Sequence, residues 1–210
     1  MHKIRIAILA SFTIIDFDKK LEQECSNFGI SPDVYIAPYQ QYNQEILDPE
    51  SNLYKHNPDI IFLMIDAESF LGDYCNFPYR YDTNYRKEIT KSKYDELINL
   101  VNAIKNNSKA IIVINSLKLP HFTSKGILEN KQEFGFLESL QELNNLIKDF
   151  TKKENKVFLF DLNQFYSKFG KEEIEDNRLR YLADMKLSDE GLKKIAQEYI
   201  AYIIPRLSLT

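Results

Sequence analysis

The chain has 210 residues, of which 44% are hydrophobic and 28% charged, with a net charge of −4 spread over interspersed acids and bases. That suffices for one domain with a sizeable core, and it lacks the basic face that nucleic-acid binding requires. The longest apolar runs, such as "IIFLMI" at 60–65, are far too short to cross a bilayer.

The first apolar run, residues 3–10, lacks an Ala-x-Ala-type cleavage site and reads as a strand, not a signal peptide. It ends on Ser11. A helix follows, with Leu21, Cys25 and Phe28 at i, i+4, i+7 and Gly29 placed to end it. A second strand is expected at 33–37. The segment "QYNQEILDPES" then predicts a short helix stopped at Asp48-Pro49. The third strand is expected at 59–66. Residues 67–91 form the least regular stretch, rich in tyrosine, and read either as a lid or as a packed surface insert. Tyr74, Tyr79, Tyr81 and Tyr85 could line a sugar or pantetheine groove or simply cover the domain surface.

A helix capped by Ser92 and carrying Leu97, Val101 and Ile104 leads to a fourth strand at 109–115. The stripe Leu140, Leu143, Ile147 and Phe150 precedes a fifth strand at 156–162. The last helix starts after Ser188, with Asp189 and Glu190 in its first turn, and buries Leu192, Ile195, Ala196 and Tyr199. Five uniformly apolar strands alternating with helices imply a three-layer α/β/α sandwich around a parallel sheet. The expected order is 2-1-3-4-5, flavodoxin-like, with any site at the carboxyl ends of the strands.

That edge collects the candidate residues: Ser11 after strand one, Asp66 and Glu68 after strand three, Asn115 and then His121 after strand four, and Lys186 in the last loop. Ser11 is a nucleophile or a strand-ending serine, and His121 a displaced base or a solvated loop residue. Asp66, Glu68, Asn115 and Lys186 are candidates for binding substrate. Asp66 and Glu68 could hold a metal or bind a hydroxylated substrate, or instead cap a helix and pair with basic side chains. Cys25 and Cys75 sit at no metal spacing and suggest a reducing cytoplasm. His2, His56 and His121 are too scattered for a zinc site, so neither metal nor cofactor is expected.

The segment "SDEGLKKIA" at 188–196 resembles the final block of SGNH or GDSL hydrolases. In that block the family's aspartate falls on Ala183 and its histidine on Lys186. A lysine with an ordinary pKa of about 10.4 carries a proton at neutral pH and is no base. It argues instead for binding an anion. The serine block reads Leu9-Ala10-Ser11 where the family has Gly-Asp-Ser. The oxyanion-hole glycine has no counterpart in "APYQQYNQ", and the oxyanion-hole asparagine falls near Ala67.

A closer resemblance lies in "ILASFT", in residues 37–54 and in "RLRYLADMKLSDEG". Pro38, Tyr39, Tyr42, Gln44, Ile46, Leu47, Asp48, Ser51 and Leu53 match a motif of the N-terminal domain of FkbH-like proteins. The resemblance spans nearly all of residues 1–210, as a single SGNH-like domain forming the N-terminal part of a longer protein. It implies a neighbouring HAD-type phosphatase or phosphotransferase domain, in the same or a partner chain, which uses magnesium to load a glyceryl group onto an acyl carrier protein. The "DxDxT"-type motif of such a domain does not occur, and "DLNQF" at 161–165 belongs to strand five. The resemblance therefore implies a non-hydrolytic accessory domain, in glyceryl/acyl-carrier or glycan/polysaccharide modification, that binds carrier protein, a small-molecule glyceryl or sugar substrate, or the HAD domain. The other reading is a divergent SGNH esterase or acyltransferase using Ser11.

Overall fold

The computed structural model describes residues 2–207. Five strands run parallel in the order β2-β1-β3-β4-β5: β1 His2–Ala10, β2 Ile30–Ile36, β3 Ile60–Met64, β4 Ile111–Asn115 and β5 Val157–Phe160. The central strand β3 is buried at all five positions, which is why its sequence is apolar without alternation. Its side chains still point alternately to opposite faces. Ile61 and Leu63 join Leu9, Ile112 and Ile114 on one face, while Ile60, Phe62 and Met64 join Ile6 and Ile8 on the other.

Each face is closed by helices. On the first, α6 (Thr83–Asn107) and α7 (Phe136–Lys153) supply Leu97, Val101, Ile104, Leu140, Leu143 and Ile147. The short helices α2 (Tyr42–Leu47) and α3 (Asn52–His56) complete that layer through Ile46 and Leu53. On the second face, α1 (Phe17–Ser26) and the last helix bury Phe17, Leu21, Leu192, Ile195 and Tyr199. The Tyr199 ring stacks on Phe62, with centroids 3.8 Å apart and planes 8° from parallel.

The remaining helices gather at the carboxyl edge of the sheet. They are α4 (Ala67–Leu71), α5 (Asp73–Asn76), α8 (Leu162–Phe169), α9 (Lys171–Ile174) and α10 (Asn177–Ala183), ahead of α11 (Asp189–Leu207). 3-10 helices occur at Pro78–Arg80 and Gly126–Lys131. The Ser188 hydroxyl accepts the Gly191 N–H at 2.9 Å, so this serine does cap the last helix. Gly191 is required there, because a Cβ would lie 2.3 Å from the Ile174 carbonyl oxygen at the end of α9.

Several boundaries differ from the sequence expectation. The second strand begins at Ile30, three residues before 33, and runs through Pro32 opposite Ile4. An edge strand tolerates proline because its outward N–H needs no ladder partner. The third and fifth strands end before Asp66 and Asp161, whose carboxylates turn back to accept N–H groups of the following helices. The first helix ends at Ser26, in a turn reaching Gly29 at φ +70°, which leaves Phe28 exposed and off the apolar stripe. Ser92 caps nothing: the helix starts at Thr83, where Asp82 accepts the Tyr85 N–H at 2.8 Å. Residues 67–91 are accordingly mostly helical. Tyr74 is buried there, its hydroxyl 2.7 Å from that of Ser139, and the rings of Tyr81 and Tyr85 stack.

Candidate functional site

Strand ends and the loops beyond them enclose a cavity of about 450 Å³ at the carboxyl edge. Its floor is apolar and comes from the second face of the core, through Phe12, Met64, Phe160, Leu187, Ile195 and Tyr199. Its walls draw on residues 66–78, 118–124 and 162–187. Five of the six side chains expected at this edge line it: Asp66, Glu68, Asn115, His121 and Lys186.

Ser11 does not line the cavity. It still belongs to the ladder, its N–H donating to the Met64 carbonyl at 3.0 Å, and it is only 1% exposed. Its hydroxyl donates to Asp66 Oδ2 at 2.8 Å and accepts the Asp66 N–H at 2.9 Å. The serine thus stitches β1 to the turn after β3. Among the described residues no imidazole hydrogen-bonds to it. His121 is exposed on its loop, and burial together with the charges of Lys118 and Lys171 holds its pKa below the ordinary histidine value.

Asn115 is fully engaged by the backbone. Its amide donates to the carbonyls of Ile65 and Ser116 and accepts the Ile65 N–H, each at 2.8 Å. Asp66 also accepts N–H bonds from Glu68 and Ser69 at the start of α4. Glu68 receives Lys186 Nζ at 2.8 Å and pairs with Arg180. Burial raises the Glu68 pKa, but that hydrogen bond and the two positive charges outweigh it and bring the value below the usual carboxylate range.

Lys186, which the sequence resemblance aligns with the SGNH histidine, meets three carboxylates: Glu68 and Asp184 at 2.8 Å and Asp66 at 3.9 Å. These partners outweigh its burial and raise its pKa, so it is a fixed cation. No uncompensated charge remains on it to attract an anion. The anion-binding role read from the sequence therefore has no electrostatic support here.

Four further side chains complete the network, none of them singled out in the sequence. Glu175, with its side chain 4% exposed, pairs with Lys118 and accepts the Tyr166 hydroxyl at 2.8 Å. Arg180 bridges Glu68 and Glu175. Burial raises the Glu175 pKa, yet Lys118 and the Tyr166 hydrogen bond pull it net downward. Glu175 and Arg180 lie in "KEEIEDNRLR" (171–180), a charge run indistinguishable from a solvated surface until folding brings Glu68 against Arg180 across 112 residues. Among the described residues, no group of three or more His, Cys, Asp and Glu side chains could hold a metal ion. No helix among them is long and apolar enough to cross a membrane.

Solved structures with this fold include esterases. An acetylxylan esterase from Geobacillus stearothermophilus is 15% identical and aligns over 96% of this chain and 94% of its own, with a TM-score of 0.57. A lipase from a goat rumen metagenome is 9% identical over 96% and 97% of the two chains, with a TM-score of 0.60. These likenesses establish an SGNH-hydrolase-like fold. The N-terminal part of a Bacteroides fragilis protein containing a phosphatase domain complexed with Mg is 17% identical, with a TM-score of 0.82. It matches 97% of this chain, which spans 52% of that relative. Comparison with curated proteins finds no match. Residues 5–204 match the family model described as FkbH, N-terminal domain.

Proposed function

Because the chain belongs to the FkbH N-terminal domain family, we propose that it is a non-hydrolytic, ligand-binding accessory domain of a cytoplasmic biosynthetic protein. Its cavity receives a small-molecule substrate. A HAD-type phosphatase or phosphotransferase region, in the same or a partner chain, carries out the chemistry, with an acyl carrier protein as a further partner. The support for the HAD-type partner is the Bacteroides fragilis relative, which contains a phosphatase domain and about half of which lies beyond this match.

The observation that carries the non-hydrolytic reading is the state of Ser11. An acyl-transfer serine needs a base to take its proton and an open approach to the substrate carbonyl. Here the hydroxyl is buried, its proton is committed to a carboxylate that caps a helix, and a raised-pKa lysine stands where the imidazole would be. The same 2.8 Å contact favours one other reading, a divergent esterase or acyltransferase in which Asp66 would receive the Ser11 proton. Hydrolysis of p-nitrophenyl acetate and butyrate by the purified chain and by Ser11→Ala separates the two. The binding role requires no turnover above background in either protein. Turnover that disappears in Ser11→Ala would establish the esterase.

A further inference from the structure

The cavity walls specify a chemical class of ligand. Four cations line the cavity, and each has a carboxylate within 4.0 Å: Lys118 and Lys171 beside Glu175, Arg180 between Glu68 and Glu175, Lys186 among Glu68, Asp184 and Asp66. Every one of these cations is already engaged, and an anionic ligand would have to compete with the carboxylates Asp66, Glu68 and Glu175 in the same wall. A purely apolar ligand would leave buried polar atoms without partners. Glu175 Oε2 is such an atom, since among the described residues it receives no hydrogen bond. Lys171 Nζ and Arg180 Nη1 stand 3.7 and 3.9 Å from it, beyond hydrogen-bond reach, and keep their own donors free.

A hydroxyl is the group that suits this wall. It donates once and accepts twice, so it can give its proton to Glu175 Oε2 and receive from Lys171 or Arg180. Neighbouring hydroxyls would continue the alternation along the paired charges. The mouth adds a second, independent feature. Phe122 and Tyr181 both line the cavity, yet they are 90% and 85% exposed. Two uncovered aromatic faces beside a donor–acceptor wall suit a ring with hydroxyls on its rim and C–H groups on its face.

We propose that the cavity binds a neutral, polyhydroxylated carbohydrate, with Glu175, Lys171 and Arg180 reading its hydroxyls and Tyr181 and Phe122 holding its ring at the mouth. This proposal rests on the binding role proposed above and names the class of ligand. A cavity of about 450 Å³ lies within the range of small-molecule sites and accommodates a mono- or disaccharide.

The test is saturation-transfer NMR on the whole chain with glucose, maltose, cellobiose, xylobiose and N,N′-diacetylchitobiose. Inorganic phosphate and 3-phosphoglycerate are then added as competitors. At least one sugar should show transfer, with neither anion displacing it. Tyr181→Ala, a change at an exposed side chain, should weaken the affinity about tenfold, and Glu175→Gln should weaken it without changing the circular dichroism spectrum. Transfer from none of the sugars, displacement by the anions, or unchanged affinity in folded Tyr181→Ala would each overturn the proposal. The outcome is independent of the ester assay: a sugar-binding chain that also hydrolyses esters through Ser11 would keep this inference and lose the non-hydrolytic role.

Discussion

Arg86 is the buried cation on which one wall of the cavity depends. It is 6% exposed and donates to the carbonyls of Tyr81 at 2.6 Å, Phe134 at 2.9 Å and Glu133 at 2.9 Å, and to the Thr83 hydroxyl at 3.1 Å. Among the described residues it has no carboxylate partner, so its charge is solvated by three backbone carbonyls, the Thr83 hydroxyl and the face of the Tyr79 ring. These bonds pin the start of α6 to the residues just ahead of α7, which sends Phe136 and Leu140 to the cavity. Arg86→Leu removes the charge and leaves three carbonyls and a hydroxyl without donors. An unsatisfied buried group costs ~1–3 kcal/mol, and water entering the gap recovers part of it. A net loss of about 3–5 kcal/mol follows from four such groups after partial rehydration. Urea unfolding followed by circular dichroism measures it, and the m-value should stay unchanged. Arg86→Lys should fall between, because an ammonium has three donors and no planar fork. A loss below about 1 kcal/mol in Arg86→Leu would refute the reasoning.

Gly191→Ala should destabilise by about 1–3 kcal/mol in thermal melts, since its Cβ would overlap the Ile174 carbonyl; stability equal to that of Glu190→Ala would count against this close approach. Ser11→Ala should also lower stability, by about 1–3 kcal/mol, because it strips the Asp66 N–H and carboxylate of a shared partner; an unchanged urea midpoint would show that the stitch between β1 and the turn after β3 contributes nothing. Glu68 and Glu175 both have folded pKa values below the usual carboxylate range. Their contribution to stability is therefore complete above pH ~4.3 and is lost as pH falls through the folded values. The gap in urea midpoint between the native chain and Glu175→Gln should narrow from pH 7 to pH 3, and a constant gap would contradict this.

The sheet was readable because its strands are buried on both faces and so carry uninterrupted apolar runs. The last helix was readable because Ser188 and Gly191 answer local demands, a cap and a close approach. Misreadings arose where local signals compete. Pro32 hid the start of the edge strand. Gly72 and Pro78 punctuate residues 67–91 into helices of four and five residues and a 3-10 turn, too short to show a period. Ser92 resembled a cap because Asp82, the actual one, stands amid tyrosines. At the site, the residues flanking each strand end were legible because a parallel sheet brings all those ends to one edge. Glu175, Arg180 and Lys118 were not, because their partners lie 57 and 112 residues away and ion pairs leave no periodic trace. The burial of Ser11 beneath that edge depends on how the Asp66 turn folds over it, which its apolar neighbours do not encode.

The central claim is that Ser11 is a closed structural hydroxyl under a binding cavity and not a nucleophile. A fluorophosphonate probe tests it most directly, because an activated serine displaces fluoride from phosphorus and forms a stable Ser–O–P bond, adding a defined mass. Intact-mass spectrometry after incubation at neutral pH, with peptide mapping of any adduct, reads the outcome. The account predicts an unmodified chain, whereas stoichiometric labelling of Ser11 would contradict it.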